Sequence, residues 1–127
     1  MKKPTRVFDK YNVLWDNYNR KTNPIFVSKV QERMNVLLQD RGYVTLNEAL
    51  RALGFERDPW GDRVGWVKDP DPYQGDGRIY FGVWDLGMAH GKDWIAGRLD
   101  RMVISFNIDR TPESLPRWIS RQAKREG

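Results

Sequence analysis

Apolar residues recur along this chain with two different periods, and the point where one period replaces the other divides it. Between Asn23 and Phe55 the period is helical. Phe26, Val30, Met34, Leu37 and Leu38 form one stripe with Lys29, Glu32, Arg33 and Asp40 on its flanks, the pattern of a helix with one face in a core. Asn23-Pro24 reads as its start, a capping residue followed by proline at the first helical position, where a missing N–H is harmless. Leu46, Ala49, Leu50 and Leu53 then repeat at i, i+3, i+4 and i+7 as a second, shorter helix. Gly42 and Gly54 read as the left-handed residues that end the two helices, each followed by an aromatic (Tyr43, Phe55) that can cover the last turn at Leu38 or Leu50. Between them Thr45-Leu-Asn-Glu48 has the form of a capping box, in which threonine and glutamate each satisfy an orphan N–H.

Past Phe55 the period becomes two. Asp58-Pro-Trp-Gly-Asp62 is turn chemistry, and Val64-Gly-Trp-Val67 follows as a short strand. Residues Asp69 to Gly77 read as a hairpin loop. Arg78 to Trp84 then alternates, with Ile79, Phe81 and Val83 on one face. From Asp85 to Asp100 the pattern weakens to an insertion with room for one helical turn. Met102, Ile104, Phe106 and Ile108 give the clearest alternation in the chain. Thr111-Pro112 can cap a last helix carrying Leu115, Trp118 and Ile119. At the other end Phe8, Tyr11, Leu14, Trp15 and Tyr18 fit a short amphipathic helix or an aromatic-rich ordered loop packed on the domain or on a partner. The expected fold is α+β, a single domain over residues 1–127: two N-terminal helices joined by a tight link, packed on a three-stranded antiparallel sheet, with a short C-terminal helix.

Composition narrows the function classes. A chain of 127 residues buries a core without staples, and with no cysteine it has neither disulfides nor thiol chemistry. No apolar run approaches the roughly 20 residues that span a bilayer, and the first residues lack a signal peptide's apolar segment. A soluble protein without a membrane partner is expected. The net charge of +5 belongs to two arms. Residues 1–10 hold four bases and one acid, residues 110–127 hold five bases and two acids, and 13 bases face 14 acids in between.

The candidate chemistry is thin. Val44 to Gly54 resembles the first half of a helix-turn-helix, but Pro59, Gly61 and Gly65 stand where a recognition helix would have to follow. The loop aspartates Asp69, Asp71 and Asp76 suggest a hard cation, yet Tyr73, Gln74 and Tyr80 occupy the positions where a calcium loop needs an oxygen ligand, glycine and glutamate. His90 is the only histidine and has no cysteine to share a zinc site with. No serine stands in a nucleophile elbow, and Gly75-Asp-Gly77 precedes a strand, so it is no phosphate cradle. No catalytic residue, metal or cofactor is therefore expected. Six tryptophans and five tyrosines remain, residue types that anchor protein interfaces and stack on bases. The candidate partner-binding set is Trp15, Tyr18, Trp60, Trp94 and Trp118 with the basic Arg117, Arg121, Lys124 and Arg125.

Several of these stretches recur together elsewhere. Gly42-Tyr-Val-Thr-Leu-Asn-Glu48, Leu53-Gly-Phe-Glu-Arg57, Val64-Gly-Trp66, Gly75-Asp-Gly-Arg-Ile-Tyr-Phe-Gly-Val-Trp-Asp85 and Ser105-Phe-Asn-Ile-Asp109 together resemble a family of small bacteriophage proteins classed only as a domain of unknown function. The resemblance covers about Val7 to Asp109. It implies a phage or prophage origin and a place in the virion or the bacterial host cytoplasm, and it carries no activity or cofactor. Members often begin with a hydrophobic anchor and end near the last strand, whereas this chain opens on a basic arm and continues past Arg110. The expectation is a non-enzymatic protein that binds a phage structural protein or a host protein, with nucleic-acid binding through the basic arms as the alternative.

Overall fold

The computed structural model describes residues 4–68, 75–83, 89–112 and 114–126, without the side chains of residues 89, 90 and 122–126. The candidate loop from Asp69 to Gln74, Trp84, and the side chains of His90, Lys124 and Arg125 lie outside these. Among the described residues the elements follow in the order β1 (Thr5–Asp9), α1 (Thr22–Arg41), β2 (Tyr43–Thr45), α2 (Leu46–Ala52), β3 (Gly65–Val67), α3 (Ala89–Ile95), β4 (Arg101–Ser105) and α4 (Ser114–Glu126).

The stop and start signals around residue 42 act as their chemistry requires. Gly42 closes α1 at φ 95°, its N–H bonding Leu38 O at 2.8 Å. Thr45 Oγ1 accepts from the Glu48 N–H while the Glu48 carboxylate accepts from the Thr45 N–H at 3.0 Å, so the capping box is complete. Burial disfavours the ionised Glu48, but bonds from Arg41 and Thr45 outweigh it and lower its pKa. After α2, Gly54 N–H bonds Arg51 O and Phe55 N–H bonds Leu50 O, the paired bonds of a Schellman turn.

The start of α1 differs from the expectation. The helix begins at Thr22 with Lys21 ahead of it and no side-chain cap. Asn23 is buried instead, clamping Asp16 through both backbone groups: Asp16 N–H donates to Asn23 Oδ1 at 2.8 Å and Asn23 Nδ2 donates to Asp16 O at 3.1 Å. The first helical N–H groups use Asn19 O and Arg20 O.

Among the described residues the three-stranded sheet does not form, and the helices do not open the chain. β1 precedes them and the link between them is itself a strand. Two antiparallel pairs result, β1 with β4 (Thr5↔Ser105 to Asp9↔Arg101) and β2 with β3 (Tyr43↔Val67 to Thr45↔Gly65). Ile79, Phe81 and Val83 are fully buried, as their alternation requires, but their segment is no strand. Its backbone is held by side-chain amides. Ile79 N–H donates to Asn35 Oδ1 (2.8 Å), Phe81 N–H to Gln31 Oε1 (2.9 Å) and Tyr80 N–H to Asn107 Oδ1 (2.8 Å). Four residues of helix rise about 6 Å and two residues of extended chain about 6.6 Å. Gln31 and Asn35 on α1 therefore match Phe81 and Ile79 in spacing. Gly82, at φ 74°, then turns the chain out of the extended conformation. One backbone bond, Ser105 N–H to Phe81 O, links it to β4.

The core has two aromatic centres. Phe8 meets Trp15 edge-on at 5.3 Å, Phe26 at 5.8 Å and Trp94 at 6.4 Å, and Trp15 stacks on Trp94 at 6.3 Å. Phe106 packs against Phe81 at 5.5 Å and Trp66 at 6.5 Å. Beside the second centre, the segment after β4 joins the edge of β3: Asp109 N–H bonds Gly65 O at 2.9 Å and Asp109 Oδ1 accepts from Val67 N–H at 3.3 Å. A Cβ at Gly65 would lie 2.1 Å from Val44 O, so only glycine allows β2 and β3 to approach there. Burial, with the neighbouring Asp76 carboxylate adding to it against the Val67 N–H and Arg110, pushes the Asp109 carboxyl up to about 6.

Two consequences can be measured. Gln31→Met keeps the shape of the side chain but leaves the buried Phe81 N–H without its acceptor, and should cost about 1–3 kcal/mol in urea unfolding. Asp109 binds its proton more tightly folded than unfolded, so its contribution favours folding most below 3.8 and declines as pH rises to about 6. In metal-free buffer Asp109→Asn should be more stable than the wild type at pH 8, by on the order of 2 kcal/mol, and the difference should vanish near pH 3.5.

Candidate interaction surface

Residues 10–21 are irregular yet closely specified. Asp9 Oδ1 accepts from Tyr11 N–H, Asn12 Oδ1 from Leu14 N–H, Asp16 Oδ1 from Tyr18 N–H and Asn19 Oδ1 from Lys21 N–H, at 2.8 to 3.2 Å. Each is an Asx turn, in which the side chain stands in for a backbone acceptor. The N–H groups of Asn19 and Tyr18 hold the Asp16 carboxyl below its usual 3.8. Asn12 is buried and its Nδ2 donates to Leu53 O at 2.9 Å, docking the loop on the end of α2. Gly54 admits it. A Cβ there would lie 2.4 Å from Asn12 Oδ1 and 3.0 Å from Leu14 Cδ1.

This frame sorts the side chains. Phe8, Asn12 and Trp15 point inward, while Tyr11, Val13 and Tyr18 are 83%, 87% and 102% exposed and Leu14 is 44% exposed. Lys10 Nζ sits 5.3 Å from the Tyr11 ring centroid. A cleft of about 270 Å³ beside the loop has Trp15 in its wall and Lys10, Arg20 and Arg101 among the charges around it.

The structure separates the sequence-derived candidates. Trp15 and Trp94 are core residues, 9% and 1% exposed, and offer a partner almost no surface. Trp118 is half-buried: its ring meets Tyr43 edge-on at 6.2 Å and covers Gly42, where a Cβ would come within 3.1 Å of it. It fastens α4 to the domain. Tyr18 and Trp60 are exposed. Trp60 lies on a turn organised by buried Asn47, which accepts from Asp58 N–H (2.7 Å) and donates to Asp58 O and Asp62 Oδ1, and the Arg6–Asp58 ion pair at 3.0 Å ties that turn to β1. Arg117 and Arg121 are exposed on α4 beside a shallow open depression. The seven candidates with described side chains are thus divided between the core (Trp15, Trp94), the underside of α4 (Trp118) and exposed positions (Tyr18, Trp60, Arg117, Arg121). Val13 lies outside the sequence-derived set, and Tyr11 and Leu14 enter it only as part of a segment packed on the domain or on a partner. The signal that finds them is the recurrence of Asp or Asn at 9, 12, 16 and 19, each two residues before an outward or turning position.

Among the described residues no three His, Cys, Asp or Glu side chains are grouped to hold a metal ion, and no helix is long and apolar enough to cross a membrane. Residues 1–115 match a family described as a family of unknown function (DUF6353), and the chain belongs to that family. No curated protein and no solved structure matches it. The match ends at Leu115, the buried residue in the first turn of α4.

Burial separates the two kinds of aromatic in an unfolding experiment. Trp15→Ala should cost about 3–5 kcal/mol, whereas Tyr18→Ala should stay within about 0.5 kcal/mol of the wild type, both read from chemical denaturation.

Proposed function

We propose that this member of the DUF6353 family is a non-enzymatic bacteriophage protein that works by binding another protein, as a small virion or assembly component or as a host-directed accessory factor. The observation that carries the proposal is the loop from Tyr11 to Tyr18, which holds Tyr11, Val13, Leu14 and Tyr18 outward on a backbone fixed by Asx turns. A loop whose backbone is already fixed before contact loses little further backbone freedom on binding, and tyrosine is among the residues that most often dominate interface energy. Phage origin is supported by the motif resemblance, and a place in the virion or host cytoplasm goes with it.

A second interpretation is nucleic-acid binding, favoured by the exposed Arg117 and Arg121 on α4. The two part company in one pair of measurements. Protein binding predicts that the wild type is found in purified virions or retains a specific host protein, and that a Tyr11→Ala, Val13→Ser, Tyr18→Ala variant of unchanged stability loses that partner. Nucleic-acid binding predicts instead that single-stranded DNA binds with an affinity that falls steeply with salt and is lost on replacing Arg117, Arg121, Lys124 and Arg125 by alanine. A wild type absent from virions that retains no host protein would overturn the leading proposal.

A further inference from the structure

We propose that Asp109 and Asp76 form a divalent-cation site for a hydrated hard ion of the magnesium, manganese or calcium kind. Asp109 is 8% exposed. One of its oxygens accepts from Val67 N–H, and the other, Oδ2, is shielded from solvent with no hydrogen-bond partner among the described residues. A buried carboxylate oxygen left empty is costly, and such atoms are rare in folded proteins. The chain is shaped around that oxygen. A Cβ at Gly75 would lie 2.5 Å from Oδ2 and 2.3 Å from the Asp109 Cβ, so glycine is required for the backbone to pass the carboxylate.

The next residue brings a second carboxylate. Asp76 is exposed, takes the Asn107 amide on Oδ2 at 3.2 Å, and stands close enough to Asp109 to oppose its ionisation. Asn107 is itself held, because its carbonyl and Oδ1 both accept from the Trp66 indole N–H at 3.0 Å. One side of the site is therefore a buried, unpartnered oxygen and the other a solvent-facing carboxylate oriented by a fixed amide. Both side-chain donors are hard oxygens, and the exposed Asp76 carboxylate faces water. Magnesium-type ions keep several waters and bind through one or two carboxylates, a set that this pair supplies. A bound cation would remove the repulsion between the two acids. Arg110, which also faces Asp109, opposes it, so affinity should be weak, on the order of 10⁻⁴ to 10⁻³ M.

The probe is terbium, a luminescent stand-in for calcium that is excited through nearby tryptophan; Trp66 is joined to Asp76 through Asn107. The full chain should give saturable sensitised luminescence that calcium or magnesium displaces. Asp109→Asn and Asp76→Asn should each weaken the half-saturation concentration at least tenfold, while Asp62→Asn, an exposed carboxylate on another turn, should leave it unchanged. Near-UV circular dichroism checks that each variant is folded, and Asp76, being exposed, can be replaced without disturbing the core. The proposal is overturned by an unsaturable signal, by variants that bind as the wild type does, or by equal weakening in Asp62→Asn. None of these outcomes bears on the loop from Tyr11 to Tyr18, so the binding role stands or falls separately.

Discussion

A peptide group withdrawn from water must find a hydrogen-bond partner or lose free energy, and this chain withdraws several segments that have no ladder or helix to supply one. The partner in each case is a carboxamide. Asn12, Asn23, Gln31 and Asn47 are all buried, and each fastens an irregular stretch: the loop after β1, the approach to α1, the segment from Ile79 to Phe81, and the turn at Trp60. An amide side chain carries the same donor and acceptor as a peptide bond, so it can satisfy a backbone from a helix face as a neighbouring strand would. With strands of three to five residues, the sheets alone could not hold the molecule.

That dependence explains which parts of the fold were legible. Signals between neighbours in sequence could be read directly: the glycine after α1, the capping box at Thr45 and the Schellman turn at Gly54 each involve groups within five residues. Alternation from Ile79 to Val83 correctly marked those residues for burial, but burial and strand pairing are separate consequences of an extended chain. Nothing local distinguishes a segment tied to a strand from one tied to Gln31 and Asn35, nearly fifty residues earlier. β2 shows no period because it has only three residues, the last of them the cap itself. Asparagine before proline is the local signature of a helix cap, whereas the burial of Asn23 depends on Asp16 being folded back beside it.

The candidate site was less legible than the fold, for a related reason. Tryptophan content measures how much aromatic area a chain has to place, and here Trp15 and Trp94 stack in the core while Trp118 fastens α4. The exposed set came from smaller residues whose direction is decided by turns. Asp and Asn at 9, 12, 16 and 19 recur at intervals of three and four, the same spacing that makes an amphipathic helix, so the loop and the helix compete for one pattern. Asx turns win because the short side chains bond the backbone themselves, the competition that makes these residues weak helix formers.

Asp109 sits where this scheme changes character. At the other buried polar positions a neutral amide offers both donor and acceptor; here the chain places a carboxylate, which when ionised can only accept, and gives it one N–H for two oxygens. An asparagine of the same shape would keep the Val67 bond without the charge, and stability alone would favour it. The second acid beside it and the glycine that lets the backbone pass both add to the cost or depend on the site's shape. Arg110 offsets part of that cost, and a cation held by both acids would offset the rest. A calcium-loop pattern places the ligands of Asp76 within its own loop, whereas the second oxygen comes from the strand-edge segment that Gly75 lets pass. The cation proposal and the amide scaffold therefore share one cause: this chain completes its polar groups across long sequence separations, through side chains whose partners appear only once it is folded.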